Sequence, residues 1–124
     1  MSIAAYKLMH LLGVFFLLAA LVGMATHAAT GVSKEENPNH RSLLVLHGLG
    51  ALLALVGGFG LLAKMGLMAD GGFPGWVSGK LVVWAVLGGL TVLPYRKPGS
   101  APALIFLVPF LGLAAAALAI LKPF

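Results

Sequence analysis

Long apolar stretches restrict what this chain can fold into more than any other feature of its sequence. Four of them, separated by short polar or Gly/Pro-rich segments, cover residues 8–30, 43–63, 76–93 and 101–121. A helix crosses a hydrocarbon core of ~30 Å with about 20 residues, and backbone amides in lipid must pair within such a helix. The sequence therefore predicts one all-α domain, a bundle of four transmembrane helices in antiparallel up-down-up-down order.

The composition indicates a chain dissolved in lipid. Of its 124 residues, 60% are hydrophobic and 9% charged, which is too few polar side chains to cover a water-exposed surface. The eight Lys and Arg are scattered near the ends of the apolar stretches, which is typical of membrane-flanking cations and argues against nucleic acid as a partner. We expect a protein integral to a bacterial inner membrane, surrounded by lipids, with both termini on the same side. The cations are shared evenly between the two sides and leave the orientation open.

Carboxylates and thiols are missing from the apolar stretches. The three acids, Glu35, Glu36 and Asp70, fall in predicted loops, and the chain has no cysteine. A carboxylate proton relay and thiolate chemistry are therefore not expected inside the bilayer. Chemistry there has to use His, Lys, Tyr or a bound cofactor.

Histidines are the first candidates for a cofactor site. The first stretch carries residues spaced three and four apart, as on a helix face that packs against other helices: His10, Gly13, Leu17, Ala20, Met24 and His27. His47 opens the second stretch and, between antiparallel helices, falls at the membrane level of His27. Imidazoles are common haem ligands, so His27 and His47 are candidate axial ligands of a b-type haem iron. The alternative is that each imidazole bonds to a carbonyl, a hydroxyl or interfacial water.

Basic and aromatic residues form a second candidate site at the opposite membrane surface. Tyr6, Lys7 and His10 open the first stretch, Lys64 follows the second, and Lys80 lies one turn into the third. Lys80 either faces the bundle interior, as a cofactor-binding residue with His10, or snorkels to the headgroups. Such a basic pocket suits a lipid headgroup, a porphyrin propionate or a quinone-like carbonyl, and Tyr6, Lys7 and Lys64 are candidate headgroup-binding residues.

Glycines are dense in the second stretch, at Gly50, Gly57, Gly58 and Gly60. Small residues let transmembrane helices approach closely where lipid offers no hydrophobic force between them. Close helix packing is the expected role, and a flat seat for a cofactor is the alternative. Trp76 and Tyr95, at the ends of the third stretch, are expected to be interfacial aromatic anchors.

Two short motifs resemble a known group of proteins. The first stretch opens with Tyr6-Lys-Leu-Met-His10, and the third with Gly75-Trp-Val-Ser-Gly-Lys80. This arrangement resembles a superfamily of small four-helix membrane proteins that includes the SirB-like family, the copper-resistance-D-like family and the J-type protoporphyrinogen oxidases. Length and the Trp-x-x-x-Lys motif resemble the SirB-like branch most. The resemblance implies that His10 and Lys80 match positions tied to haem binding and catalysis in the oxidases. It does not extend to Leu-Val-Gly-Met-Ala-Thr-His27, where the oxidases carry an aromatic and arginine-bearing stretch.

Three functions follow as hypotheses. The first is a small haem-binding or redox-linked membrane protein that acts through inward-facing histidines. The second is a non-catalytic accessory or scaffold subunit, within a larger membrane complex or a homo-oligomer, whose glycine-rich helices pack against a partner. The third is a small-solute transporter that uses Pro109 and the glycines as helix breaks. Whether the chain is an enzyme is left open.

Overall fold

The computed structural model describes residues 1–68 and 71–124, and every regular element in those two ranges is helical. The α-helices are α1 (Ile3–Ala28), α2 (His40–Lys64), α3 (Gly75–Gly89), α4 (Leu93–Arg96) and α5 (Ala101–Leu121). Short 3-10 turns at Lys34–Glu36 and Pro98–Ser100 lie in the connections. Ala69 and Asp70, at the start of the turn predicted between the second and third stretches, lie outside the described residues.

Three helical segments are long and apolar enough to cross a membrane. These are α1, α2 and Pro98–Leu121, which contains α5, with mean hydropathies of 2.3, 2.0 and 2.7. The apolar helix α3 has 15 residues, so it is about 22 Å long at ~1.5 Å per residue and falls short of a ~30 Å core. Length and composition thus support three of the four predicted crossings.

The third predicted stretch, 76–93, is divided in the structure. The helix α3 ends at Gly89, and the chain turns through hydrogen bonds from Val92 N–H to the Gly89 carbonyl and from Leu93 N–H to the Leu90 carbonyl. Glycine loses more backbone entropy in a helix than other residues, and Gly88 adjoins Gly89. Pro94 cannot donate a backbone hydrogen bond, so it stands in the first turn of α4.

Local signals set the ends of the long helices. The side chain of Ser2 accepts a hydrogen bond from Ala5 N–H at 3.1 Å, as an N-cap of α1. After α2, Gly66 adopts a left-handed conformation (φ +69°), and the N–H of Leu67 bonds to the carbonyl of Leu62. This is a glycine C-cap of the Schellman type, and it stops α2.

The first two helices run antiparallel and lie very close together. A Cβ atom on Gly13 would collide with the backbone nitrogen of Ala54, and one on Gly50 would lie 2.6 Å from the backbone nitrogen of Leu17. Only glycine permits this backbone approach, which gives the van der Waals contact that associates helices in lipid. The predicted close packing through glycines of the second stretch is confirmed.

The packing core lies where α1, α3 and α5 meet. Leu17 and Leu21 of α1 cluster with Leu87 of α3 and Val108 of α5. The predicted inward face of the first stretch is confirmed for Gly13, Leu17, Ala20 and Met24, which are all buried. The helix α5 runs antiparallel to α3, whereas the backbones of α2 and α3 approach each other at only a few points.

Candidate functional site

A partly open cavity of about 420 Å³ lies between α1, α2, α3 and α5, at the end of the bundle where α1 begins. This volume falls within the ~300–1,000 Å³ of typical small-molecule and cofactor sites. Its walls are mostly apolar and alanine-rich, and the polar groups on them come from Lys7, His10, Trp76, Lys80 and Trp84. None of the described residues that line it is acidic. The cavity therefore combines an apolar interior with cationic groups.

His10 is held against α2 by a hydrogen bond of 2.7 Å between its Nδ1 and the carbonyl oxygen of Ala54. A carbonyl oxygen only accepts, so Nδ1 carries the hydrogen and donates it. In the neutral imidazole, Nε2 then keeps its lone pair. Gly57 and Gly58 make room for this residue: a Cβ on Gly57 would lie 2.6 Å from the backbone nitrogen of His10, and one on Gly58 would lie 3.2 Å from its Nδ1.

The residues of the predicted basic and aromatic site lie in different surroundings. Lys7, which is exposed, and Lys80, which is partly buried, line the cavity together with His10. Tyr6 instead packs its ring against Gly60 and lines a second, more open pocket on the neighbouring surface of α1 and α2. Lys64 is exposed at the end of α2. The structure thus brings together three of the five predicted residues.

Two side chains connect α2 to α3 through backbone carbonyls. His47, which is buried, donates a hydrogen bond of 3.1 Å from Nε2–H to the carbonyl of Leu87. Trp84 donates one of 3.0 Å from its indole N–H to the carbonyl of Ala51. These bonds join helices whose backbones otherwise have few close approaches.

His27 belongs to a separate polar network at the other end of the bundle. Its Nδ1 lies 2.6 Å from the hydroxyl oxygen of Tyr95, which also accepts a hydrogen bond of 3.1 Å from Asn37 Nδ2. Since the oxygen accepts from Asn37, its own hydrogen is free to be donated to His27. The ring of His40, the first residue of α2, meets Tyr95 edge-on with centroids 5.5 Å apart. The network joins α1, α2, α4 and the first connection.

The structure gives His27 and His47 different hydrogen-bond partners. One nitrogen of each ring bonds to protein, to a hydroxyl for His27 and to a carbonyl for His47, as the alternative interpretation of this pair expects. A haem iron shared by the two stays a prediction. Within 1–68 and 71–124, no three histidine or acidic side chains are grouped to hold a metal ion. Haem needs only one or two protein ligands.

The sequence did not identify the hydrogen-bond partners of His27 and His10. Tyr95 stands out in the sequence as an interfacial anchor, but its bond to His27 joins residues 68 positions apart. The carbonyl of Ala54 leaves no signal in the side-chain sequence at all. Its role follows from the register of α1 against α2, which the glycines of both helices set.

Comparisons with protein-family models, with curated proteins and with solved structures found no match for this chain. The resemblance of its two short motifs to the SirB-like superfamily therefore stays a prediction. The cavity, its three basic side chains and the carbonyl bond that orients His10 are the features of this chain that bear on its function.

Proposed function

We propose that this chain is a small membrane protein that crosses the bilayer four times and binds a b-type haem in the cavity beside His10. The crossing that this proposal adds to the three long apolar segments is α3. It packs antiparallel to α5, with Gly79 against Leu118 and Gly75 against Phe124, and it contributes Leu87 to the core shared with two longer helices. This packing supports a position of α3 at the same membrane depth as its neighbours. The membrane is the inner membrane of a bacterium, and both chain termini lie on one side of it.

The orientation of His10 is the observation that carries the haem assignment. Histidines that bind metals almost always donate their other ring N–H to a carbonyl, a carboxylate or water, which fixes the tautomer and raises ligand basicity. His10 makes such a bond to Ala54 and lines the cavity. Its Nε2 is therefore the nitrogen that would bind the haem iron.

The rest of the cavity suits the remainder of a haem. Its apolar walls, which include Leu11, Val14 and Trp84, match a hydrophobic macrocycle. Lys7 and Lys80 would supply positive charge for the two propionates, and no described lining residue is acidic. Haem, when bound, supplies one-electron redox chemistry. The residues of the chain would orient it and neutralise its carboxylates.

A haem titration with histidine variants tests this proposal. The protein is purified in mild detergent, and haemin is added while the Soret band is followed. We expect one haem per chain for the wild type and a loss of at least about tenfold in affinity, or ~1.4 kcal/mol, for His10→Leu. His27→Leu and His47→Leu are matched controls, because each removes an imidazole that lies outside the lining of the cavity.

Two results would contradict the proposal in different ways. If the wild type has no Soret band and gains none with haemin, the chain does not bind haem, and the accessory-subunit hypothesis takes its place. If His10→Leu binds haem normally while the His27 and His47 variants do not, the haem lies between those two histidines and not in the cavity.

A further inference from the structure

Two side-chain contacts border the space between α2 and α3. Towards the centre of the bundle, the hydrogen bond of Trp84 to the Ala51 carbonyl closes it. Towards the end where α1 begins, the rings of Phe59 and Phe73 meet edge-on, with centroids 6.0 Å apart. Over their whole length the backbones of α2 and α3 approach each other at only a few points, and the cavity that both helices line is partly open, so we take its opening to lie between these two contacts. We call this opening the α2–α3 window.

The register of the two helices identifies the residues across the window. Position 47 bonds to position 87, and position 51 to position 84, so in an antiparallel pair position 55 falls opposite positions 79 and 80. Leu55 and Leu81 both line the cavity, and each lies on one of the two helices that border the opening. From Ala51 to Phe59 the window is about 12 Å long, at ~1.5 Å per residue.

The outer surfaces of the two helices that border the window are apolar. Leu52 on α2 is 59% exposed, and Val82 on α3 is 63% exposed. Exposed aliphatic side chains on membrane helices face lipid tails. The window therefore faces hydrocarbon, whereas the cationic groups of Lys7 and Lys80 lie at the end of the cavity near the membrane surface.

We infer that the α2–α3 window admits the ligand of the cavity directly from the bilayer, and that this ligand is a membrane-dissolved amphiphile with an acidic end. The inference rests on the proposed haem site and adds its route of access. A molecule dissolved in lipid lies with its acidic groups at the headgroups and its apolar body among the tails. Moving sideways through the window, it would meet the two lysines and the apolar walls in that same orientation, without passing through water.

Crosslinking across the window tests the route. Because the sequence has no native cysteine, only the introduced cysteines can react. The variant Leu55→Cys/Leu81→Cys is reconstituted in liposomes, and haemin is supplied from a second population of liposomes. The rate of Soret growth is measured before and after reaction with a short bismaleimide. We expect the crosslink to slow loading at least about tenfold, since a closed gate limits the rate. Protein loaded with haem before crosslinking should keep its Soret band.

A matched pair controls for the effect of the crosslink itself. Gly23→Cys/Leu43→Cys joins α1 to α2 at residues in contact that do not line the cavity. We expect its crosslink to leave the loading rate unchanged. Equal loading rates before and after crosslinking of the window would overturn the inference. Failure of the wild type to take up any haem would instead refute the proposed function, so the two failures are distinguishable.

Discussion

Three of the four histidines bond to a partner on a different element. His10 bonds to the Ala54 carbonyl of α2, His47 to the Leu87 carbonyl of α3, and His27 to Tyr95 of α4. In membrane proteins such interhelical bonds average ~0.6 kcal/mol and reach ~1.7 kcal/mol. Their energies are modest, but their geometry fixes which ring nitrogen is protonated. For His10 this orientation is what makes the residue a candidate ligand.

Gly58 controls the position of the His10 ring. A Cβ atom there would lie 3.2 Å from Nδ1 and 3.4 Å from Cε1 of His10, so Gly58→Ala has to displace the ring by a few tenths of an ångström. We expect haem affinity to fall about 3- to 10-fold, or ~0.7–1.4 kcal/mol, with unchanged helix content. Gly48→Ala is the control, because a Cβ at Gly48 meets open space. Wild-type affinity in Gly58→Ala would show that this contact does not position the ligand.

Among the elements, the pairing of α1 with α2 is the most sensitive to side-chain size. Gly13→Ala would place a methyl group against the backbone of Ala54, and backbone cannot rotate away as a side chain can. We expect a loss of ~1–3 kcal/mol, the usual cost of overpacking. The measurement is the unfolding free energy in mixed detergent micelles, followed by circular dichroism.

Gly88→Ala should raise the free energy of unfolding in the same assay, whereas Gly13→Ala should lower it. Gly88 is helical, and a Cβ there meets open space, so alanine should stabilise α3 by up to ~1 kcal/mol through helix propensity. If Gly13→Ala unfolds like the wild type, the close contact of the first two helices is not what holds them together.

Helix positions could be predicted from the sequence more fully than helix ends and contacts. The stretch predicted over 43–63 corresponds to the helix His40–Lys64 in the structure. This agreement is expected, because the length of an apolar run directly indicates the length of a membrane helix. The sequence predicts that the third stretch runs to residue 93, but its helix ends at Gly89, where paired glycines precede Pro94. Contacts such as His10 with Ala54 depend on interhelical register, which no single stretch encodes.

For the molecule as a whole, the cavity depends on where α3 lies. The helix is short for a crossing, yet it forms one wall of the cavity and one side of the α2–α3 window. If α3 lay on the membrane surface, Lys80 and Trp84 could not enclose a site within the bilayer. The cavity can therefore lie within the bilayer only if the chain crosses it four times.

Cysteine labelling on the two sides of α3 tests this claim most directly. Gly72→Cys precedes α3 and Gly99→Cys follows it, and at both positions a Cβ meets open space. Each single variant is treated with a membrane-impermeant maleimide in intact spheroplasts and in inverted vesicles. We predict that the two cysteines are labelled from opposite sides of the membrane. Labelling of both from the same side would mean that α3 does not cross the bilayer, and it would contradict the four-crossing bundle and the site proposed within it.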